Sequence, residues 1–357
     1  MRAHVSSLSV IATVSLGCGA RTELVFGHAA AIGDASAIGA DAAVGTRDVC
    51  PSALLTGAPR PIAGECSTRD GRSRVTGPTA PHILWQTAVP PNTDPANAFF
   101  IAGLAADASA RAYVVAAPNS GADISRLLAF DAVSGAIDWD VVYTPSSQGD
   151  GLPVLLTDGA LEIVATGASY RASIDRFDAV AGTFTTTAIA AGSDVIDLSP
   201  AIGADGAMYV AYTANAGSAR ARSVVTRLHA DTTIAWTSVD LATLGPPPDA
   251  GNDVFPSRIA LAQNDLVLLV TSIIGTSPIK SLLVALDPSD GVVRWTAPLD
   301  GQLLGGPAIA PDGSIALLAG APPSAKLEVF EATGALRREI DLGRSSAALY
   351  AIGLDGT

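Results

Sequence analysis

Short apolar runs separated by turns rich in glycine and aspartate recur along most of this chain. The clearest unit reads Leu-Leu-Ala-Phe-Asp-Ala-Val-Ser-Gly-Ala-Ile-Asp-Trp over residues 127–139, and Leu-Val-Ala-Leu-Asp-Pro-Ser-Asp-Gly-Val-Val-Arg-Trp repeats it over 283–295. Weaker copies begin at Phe177, Leu228 and Phe330. Self-similarity on this scale predicts a repeat architecture.

A second motif places an Asp-Gly or Asn-Asp turn between apolar runs, a few residues after a proline. Asp-Gly in this setting is a strong hairpin signal, because both central residues of the favoured turn need a positive φ. The prolines recur about every 50 residues, the span of four short strands and their turns. They are Pro153, Pro200, Pro256 and Pro307. We therefore predict an all-β fold, a β-propeller of four-stranded blades with about five complete blades and a partial sixth.

The two ends of the repeat region predict the parts of that sixth blade. Residues 82–89 carry Trp85 at the place of a fourth strand, and residues 347–355 match a first strand and its turn. A closed propeller commonly builds its last blade from both ends of the chain, which leaves no unpaired edge. Because two middle strands are missing from this set, we expect an incompletely closed ring with an exposed or poorly packed seam.

A tryptophan stands at one fixed place in most repeats. The four are Trp85, Trp139, Trp236 and Trp295. A large ring at the same place in each repeat most simply fills the gap between adjacent blades, and a ligand-stacking role is the alternative.

An acid also recurs once per repeat, in the turn between the third and fourth strands. The acids are Asp131, Asp178, Asp287 and Glu331, and His229 takes this place in one repeat. Capping of the turn explains one acid per repeat better than catalysis does.

The repeat motif, apolar-x-Ala-Phe/Leu-Asp-x-x-x-Gly-x-x-x-Trp, resembles that of the quinoprotein-type (PQQ-like) β-propellers. The resemblance covers roughly residues 82–357. This family includes pyrroloquinoline-quinone dehydrogenases and the propeller lipoprotein of the outer-membrane β-barrel assembly machinery. The resemblance implies the same propeller fold, and it implies either an oxidoreductase or a binding scaffold.

The residues of this chain favour a binding scaffold over an oxidoreductase. A working quinone enzyme of this family usually has a vicinal disulfide under the cofactor, a Ca²⁺ site and an aspartate base, whereas this chain has no adjacent cysteines. His82 and His229 are the only histidines of the repeat region, and no nucleophile elbow, HExxH motif or phosphate loop is present. We therefore expect no cofactor and no catalytic residue.

One loop gathers hard oxygen ligands, the kind that Ca²⁺ prefers. Asp249, Asn252 and Asp253 lie within residues 246–253. Their spacing is not that of a known calcium loop, so a solvated turn between blades is the favoured interpretation and a Ca²⁺ site is the alternative.

Composition agrees with an exported all-β protein. Only 15% of the 357 residues are charged, and 35 Gly and 23 Pro suit many short strands and turns rather than long amphipathic helices. The net charge of −13 argues against nucleic acid or an anionic membrane surface as a partner.

The N-terminus has the parts of an export signal. A short basic start precedes the apolar residues 5–16, and Ser-Leu-Gly-Cys ends at Cys18. Residues 1–17 resemble a bacterial lipoprotein signal, which implies that Cys18 carries lipid, and Gly19 after it resembles a lipoprotein destined for the outer membrane. A plain secretory signal and a buried helix are the alternatives. One multiply acylated residue would anchor the protein without a spanning helix.

Residues 18–81 are expected to form a flexible tether, because small and polar residues dominate its first part. Cys50 and Cys66 are the remaining cysteines, and in an oxidising compartment they form a candidate disulfide. Closing this loop would stabilise it by about 3 kcal/mol. A zinc site is the weaker alternative, because no second Cys or His pair lies nearby.

Together these features predict a non-catalytic lipoprotein of the outer membrane or cell surface that binds other envelope proteins through propeller loops. The longest candidate loops are residues 117–125, 214–223, 244–256 and 274–281. We expect a monomer that touches the membrane only through its lipid. A quinone-dependent periplasmic dehydrogenase and a truncated family member without activity are the alternatives.

Overall fold

A computed structural model describes the strands of the repeat region, their tight turns and one short strand near the N-terminus. The described residues are 23–27, 83–88, 99–107, 109–118, 125–143, 153–156, 160–166, 172–178, 181–189, 196–203, 205–215, 221–244, 254–256, 259–262, 267–273, 280–299, 301–310, 312–320 and 324–344. Several predicted features lie outside them, namely Cys18, Cys50, Cys66, His82 and the segments 246–253 and 347–355.

The first sheet has two antiparallel strands, β1 (Glu23–Gly27) and β2 (Ile83–Ala88), with Phe26 opposite Trp85. The structure thus places a strand inside the segment 18–81 that the sequence assigned to a tether. The physical reason is that a backbone ladder can recruit a short apolar run such as Leu-Val-Phe without any longer periodic pattern.

Five further sheets follow in chain order, which we number as blades. Blade 1 has β3 (Phe99–Ala106), β4 (Arg111–Pro118), β5 (Ser125–Asp131) and β6 (Ile137–Tyr143). Blade 2 has β7 (Pro153–Leu155), β8 (Ala160–Thr166), β9 (Ala172–Asp178) and β10 (Phe184–Ala188). Blade 3 has β11 (Ile196–Ile202), β12 (Met208–Ala214), β13 (Arg222–Leu228) and β14 (Ile234–Thr237).

A short 3-10 helix, η1 (Leu241–Thr243), follows blade 3. Blade 4 begins with a first strand broken in two, and its strands are β15 (Val254–Pro256), β16 (Ala260–Leu261), β17 (Val267–Ile273), β18 (Lys280–Leu286) and β19 (Val293–Leu299). Blade 5 has β20 (Gln302–Ile309), β21 (Ile315–Gly320), β22 (Ser324–Phe330) and β23 (Leu336–Arg344).

Each blade is an antiparallel meander in which consecutive strands are neighbours. The prediction of a β-propeller with about five complete four-stranded blades is therefore confirmed. In a meander the turns after the first and third strands lie at one end, which we call the turn face. The loops after the second strand and the connections between blades lie at the other end, which we call the loop face.

The hydrophobic core lies between the blades. Tyr113 and Leu127 of blade 1 pack with Leu155, Ile163 and Phe177 of blade 2, and similar buried clusters join each following pair of blades. Blade 3 is covered on both faces, so its second strand β12 is buried along nearly its whole length rather than on alternate residues. The contacts between blades run mainly through the first and second strands, so the fourth strands lie away from the ring axis.

Candidate functional site

The four tryptophans make one recurring contact between neighbouring units. Each indole lies against the glycine of the acid-glycine turn in the next blade along the chain. A Cβ built on that glycine would fall within 2.5 to 3.3 Å of the ring in all four cases. The pairs are Trp85 with Gly135, Trp139 with Gly182, Trp236 with Gly291, and Trp295 with Gly334.

Two features of these turns require glycine. Its φ is between +67° and +85° at the four positions, a region that L residues rarely adopt, and the indole occupies the space of any side chain. Trp85 also donates its indole N–H to the carbonyl of Ala132 at 3.0 Å, and Trp236 donates its indole N–H to that of Pro288 at 2.9 Å, each within the turn that the ring contacts.

The acids of these turns accept hydrogen bonds from the turn itself. Asp131 accepts the N–H of Val133 at 3.0 Å and both the N–H and hydroxyl of Ser134 at 2.6 and 2.8 Å. The backbone N–H of Ser134, followed by its hydroxyl, lowers the pKa of Asp131. Asp178 accepts the N–H of Ala181 at 2.9 Å.

Asp287 is the most strongly held acid among them. It accepts the hydroxyl of Ser289 at 2.5 Å and its N–H at 2.7 Å, and it forms an ion pair with Arg294. The Ser289 hydroxyl, then its N–H and then Arg294 lower the pKa of Asp287 from 3.8 to about 2.

His229 is exposed at the acid's place in blade 3. There Asp231, two residues further along, accepts the N–H and hydroxyl of Thr233 at 3.0 and 2.6 Å, and the hydroxyl bond is the first cause of its lowered pKa. In blade 5, Glu331 forms an ion pair with Arg337 at 3.6 Å.

The lowered pKa of Asp287 predicts a pH-dependent stability. A carboxyl whose pKa is lower in the folded state stabilises the fold above its unfolded pKa, and this stabilisation disappears as the pH falls through the folded pKa. We expect Asp287→Asn to reduce the free energy of unfolding at pH 7, and we expect this deficit to shrink between about pH 4 and pH 2. Urea unfolding at a series of pH values measures this free energy.

Asp290→Asn in the same turn is the control, because among the hydrogen bonds of this turn Asp290 accepts only the N–H of Val292. We expect it to reduce the free energy of unfolding at pH 7 by less than Asp287→Asn does. A deficit for Asp287→Asn that is unchanged at pH 2 would contradict this account.

A buried polar cluster lies on the loop face, where blade 3 meets blade 4. The hydroxyls of Thr213 and Ser223 are 3.1 Å apart, and both donate to the carbonyl of Val254, the Thr213 hydroxyl at 2.9 Å. The N–H of Ser223 donates at 3.1 Å to Asp240, which also caps η1 by accepting the N–H of Ala242.

This cluster fixes the two ends of the connection that spans residues 244–256. Thr213 and Ser223 are at most 1% exposed, so their hydroxyls have exchanged water for these bonds. Sequence reasoning missed the cluster, because its members come from β12, β13, β15 and the segment before η1 and form no local motif.

A second feature that the sequence did not reveal is a charged row in blade 2. The cross-strand row that holds Tyr113 and Trp139 in blade 1 holds Glu162, Arg176 and Thr185 in blade 2. Arg176 donates to Glu162 at 2.7 Å.

This ion pair lies where blade 2 faces blade 3. Arg176 is on the same face of β9 as Ile174, which packs against blade 3. The Glu162 side chain is only 5% exposed and that of Arg176 is 35% exposed. The second blade thus has a partly buried ion pair in the row where blades 1, 3 and 4 have a tryptophan.

Within the part of the chain that the structure describes, no group of three or more His, Cys, Asp or Glu side chains could hold a metal ion. The candidate calcium ligands Asp249, Asn252 and Asp253 lie outside that part. Among the same described residues, no helix is both long enough and apolar enough to cross a membrane.

No family model and no curated protein matches the chain. Solved structures resemble it at low identity. A europium-containing methanol dehydrogenase is 16% identical, with 68% of this chain and 52% of that chain covered and a TM-score of 0.49. The quinohemoprotein alcohol dehydrogenase ADHIIG of Pseudomonas putida is 12% identical, with 82% and 48% covered and a TM-score of 0.47. TolB of Acinetobacter baumannii is 14% identical, with 82% and 63% covered and a TM-score of 0.41. The chain thus spans about half the length of the two dehydrogenases, and the likeness concerns the propeller fold alone.

Proposed function

We propose that this protein is a non-catalytic, exported lipoprotein of the cell envelope whose loop face binds another envelope protein. Cys18 carries the lipid, residues up to 81 link it to the propeller, and the propeller lies in the periplasm or outside the cell. The role is like that of the propeller lipoprotein of the β-barrel assembly machinery, whose repeat this sequence resembles.

The observation that carries this proposal is the position of the long loops. Residues 117–125, 214–223 and 274–281 each follow the second strand of a blade, and residues 244–256 connect blade 3 to blade 4. All four therefore emerge on the loop face. Loops gathered on one side of a rigid scaffold are the usual place of recognition residues.

The acids of the turn face are used within their own turns, which supports a non-catalytic role for the propeller. Its repeat acids accept hydrogen bonds from their own turns or pair with arginine, as Asp131 and Asp287 illustrate. Carboxylates used in this way have a structural role that accounts for one acid per blade.

A photo-crosslinking residue placed on each face, in cells that export the protein, tests the proposal. We expect Asn215, on the loop face, to give a discrete cross-linked adduct, and we expect Val133, on the exposed turn face, to give none. Intact-mass analysis of the membrane fraction should find a chain that begins at an acylated Cys18. Equal adducts from both positions, or none from Asn215, would refute recognition by the loop face.

One further measurement distinguishes the quinone-dependent dehydrogenase from the proposed binding scaffold. Titration of the purified protein with pyrroloquinoline quinone and Ca²⁺, followed by absorbance and melting temperature, should show no saturable binding. Saturable binding of the quinone together with dye-linked alcohol oxidation would contradict the scaffold proposal and favour a dehydrogenase.

A further inference from the structure

The two-stranded sheet of β1 and β2 repeats the outer half of a blade. In blades 1, 3, 4 and 5, the ladder between the third and fourth strands has a register shift near the start of the fourth strand. In blade 1, the residue opposite Trp139 is followed by one opposite Ile137, so that the fourth strand has one extra residue. The sheet of β1 and β2 has the same shift at the same place, because the residue opposite Trp85 is followed by one opposite Ile83. By this register, β1 corresponds to a third strand and β2 to a fourth strand.

The contact with blade 1 gives β2 the direction of a fourth strand as well. In blade 1, Trp139 and Val141, two residues further along, both lie against the turn glycine of blade 2. In the same way Trp85 lies against Gly135 of blade 1, and Thr87, two residues further along, donates its hydroxyl to the carbonyl of Gly135 at 2.7 Å. Fourth strands run from the turn face to the loop face, so β2 begins at the turn face and ends at the loop face.

The strand β1 therefore starts at the loop face. It is antiparallel to β2, and its first residue, Glu23, lies opposite Ala88, the last residue of β2. Its last residue, Gly27, is thus at the turn face. Cys18 precedes Glu23 by only five residues. The chain that follows Cys18 consequently joins the propeller on the loop face.

We propose that β1 attaches the lipid-bearing end of the chain directly to the propeller, so that the loop face lies next to the membrane and binds a short exposed segment of a protein embedded in that membrane. The lipid at Cys18 and recognition by the loop face are taken from the proposed function, on which this inference rests. The orientation of the propeller on the membrane and the class of its partner are new.

The length of the connection decides the orientation. Five extended residues span at most about 17 Å, whereas a flexible tether of about 60 residues would have an end-to-end distance of about 45 Å. To bring the turn face to the membrane, the connection would have to run back along all of β1, which is about 13 Å long, and then pass the turns. The loop face is therefore the side that the lipid holds close to the membrane.

The same distance limits what can bind to this face. A separate folded domain of about 100 residues has a radius of gyration of about 13 Å, so it is wider than a gap of about 17 Å. A loop or a short extended segment of a membrane-embedded protein fits such a gap. The lipid surface itself is a poor partner, because the net charge of −13 is repelled by anionic headgroups.

Two insertions of the same length test the attachment through β1. About 30 Gly/Ser residues placed between Thr22 and Glu23 lengthen the connection about sevenfold, and the effective concentration of the loop face at the membrane should fall about 20-fold. The same insertion between Ala40 and Asp41 lengthens only the chain that joins β1 to β2, so it is the matched control and should change nothing. If β1 did not hold the lipid-bearing end, both insertions would lengthen one long tether, and each would lower the effective concentration only about twofold.

Energy transfer to the membrane measures the orientation without a partner. A donor residue is placed at Arg222 or at Ala230, exposed positions at the loop-face and turn-face ends of β13, and the acylated full chain is reconstituted in phosphatidylcholine vesicles that contain an acceptor lipid. We expect stronger transfer from Arg222 than from Ala230. The insertion before Glu23 should remove this difference and the insertion after Ala40 should preserve it, with circular dichroism to verify folding.

Photo-crosslinking from Asn215 in cells measures the partner. We expect the adduct to map to a segment next to a membrane-spanning part of the partner, and its yield to fall about tenfold or more with the insertion before Glu23 but not with the insertion after Ala40. A Cys18 without acyl chains would overturn this inference together with the lipoprotein assignment. An acylated chain with equal transfer from the two donor positions, equal effects of the two insertions, or an adduct with a soluble folded domain would overturn this inference alone.

Discussion

Gly291→Ala is expected to destabilise the protein by about 3 kcal/mol, through two separate costs. The backbone at Gly291 has a φ of +74°, which strains any L residue. The new Cβ would also lie 2.6 Å from the indole of Trp236, so the ring or the turn must move. Because that indole joins blade 3 to blade 4, the strain acts on the contact between the blades.

Gly343→Ala separates the two costs. Gly343 has a φ of +76°, and a Cβ there would meet nothing within 4 Å, so only the backbone strain applies, about 1 kcal/mol. Denaturant unfolding of both variants measures the difference. Trp236→Ala alone should cost about 3 kcal/mol, and combined with Gly291→Ala it should cost less than the sum, because the overlap is gone. Equal losses for the two glycine variants would show that the contact with Trp236 does not matter.

Arg176→Ala is expected to destabilise the protein by about 3 kcal/mol. It leaves the buried carboxylate of Glu162 without the guanidinium that lies 2.7 Å away. Glu162→Ala should cost only about 1 kcal/mol, because the partly exposed Arg176 can reach water.

The combined change Glu162→Leu with Arg176→Met should be neutral within about 1 kcal/mol or stabilising, since apolar residues often replace a buried ion pair without loss. The pair of Lys326 and Glu339, 3.2 Å apart in blade 5, is the control, because the Glu339 side chain is 41% exposed, and Lys326→Ala should cost less than about 1 kcal/mol. Equal costs for Arg176→Ala and Lys326→Ala would show that burial of Glu162 is unimportant.

The repeat could be predicted from sequence because its signals are local. An Asp-Gly turn needs positive φ, and a turn acid caps its own N–H groups, so both leave a mark within a few residues. These marks define the strands and hence the five blades. No local signal in the sequence predicts which turn each tryptophan contacts. Gly135 and Trp139 stand in one motif, but the structure pairs Gly135 with Trp85 and Trp139 with Gly182.

Other features depended on long-range pairing that no local pattern specifies. The ion pair of Glu162 and Arg176 depends on the register of β8 against β9. The only local trace of it in the sequence is the absence of a tryptophan from the second repeat, and the fifth repeat lacks a tryptophan as well. The strand β1 was missed because five residues with one apolar run do not differ from a linker until their partner β2 is known.

The direction of the tryptophan contacts also sets the order in which the blades can be completed during synthesis. Every indole rests on a turn that lies later in the chain, 47 residues later for the hydrogen bond of Trp85 and 52 residues later for that of Trp236. As the chain grows from its N-terminus, each unit that carries a tryptophan, namely the first sheet and blades 1, 3 and 4, therefore keeps that indole uncovered until the following blade has emerged. Each of these tryptophan contacts can therefore form only after the turn of the following blade is available, so the contacts between blades are completed in order from the N-terminus.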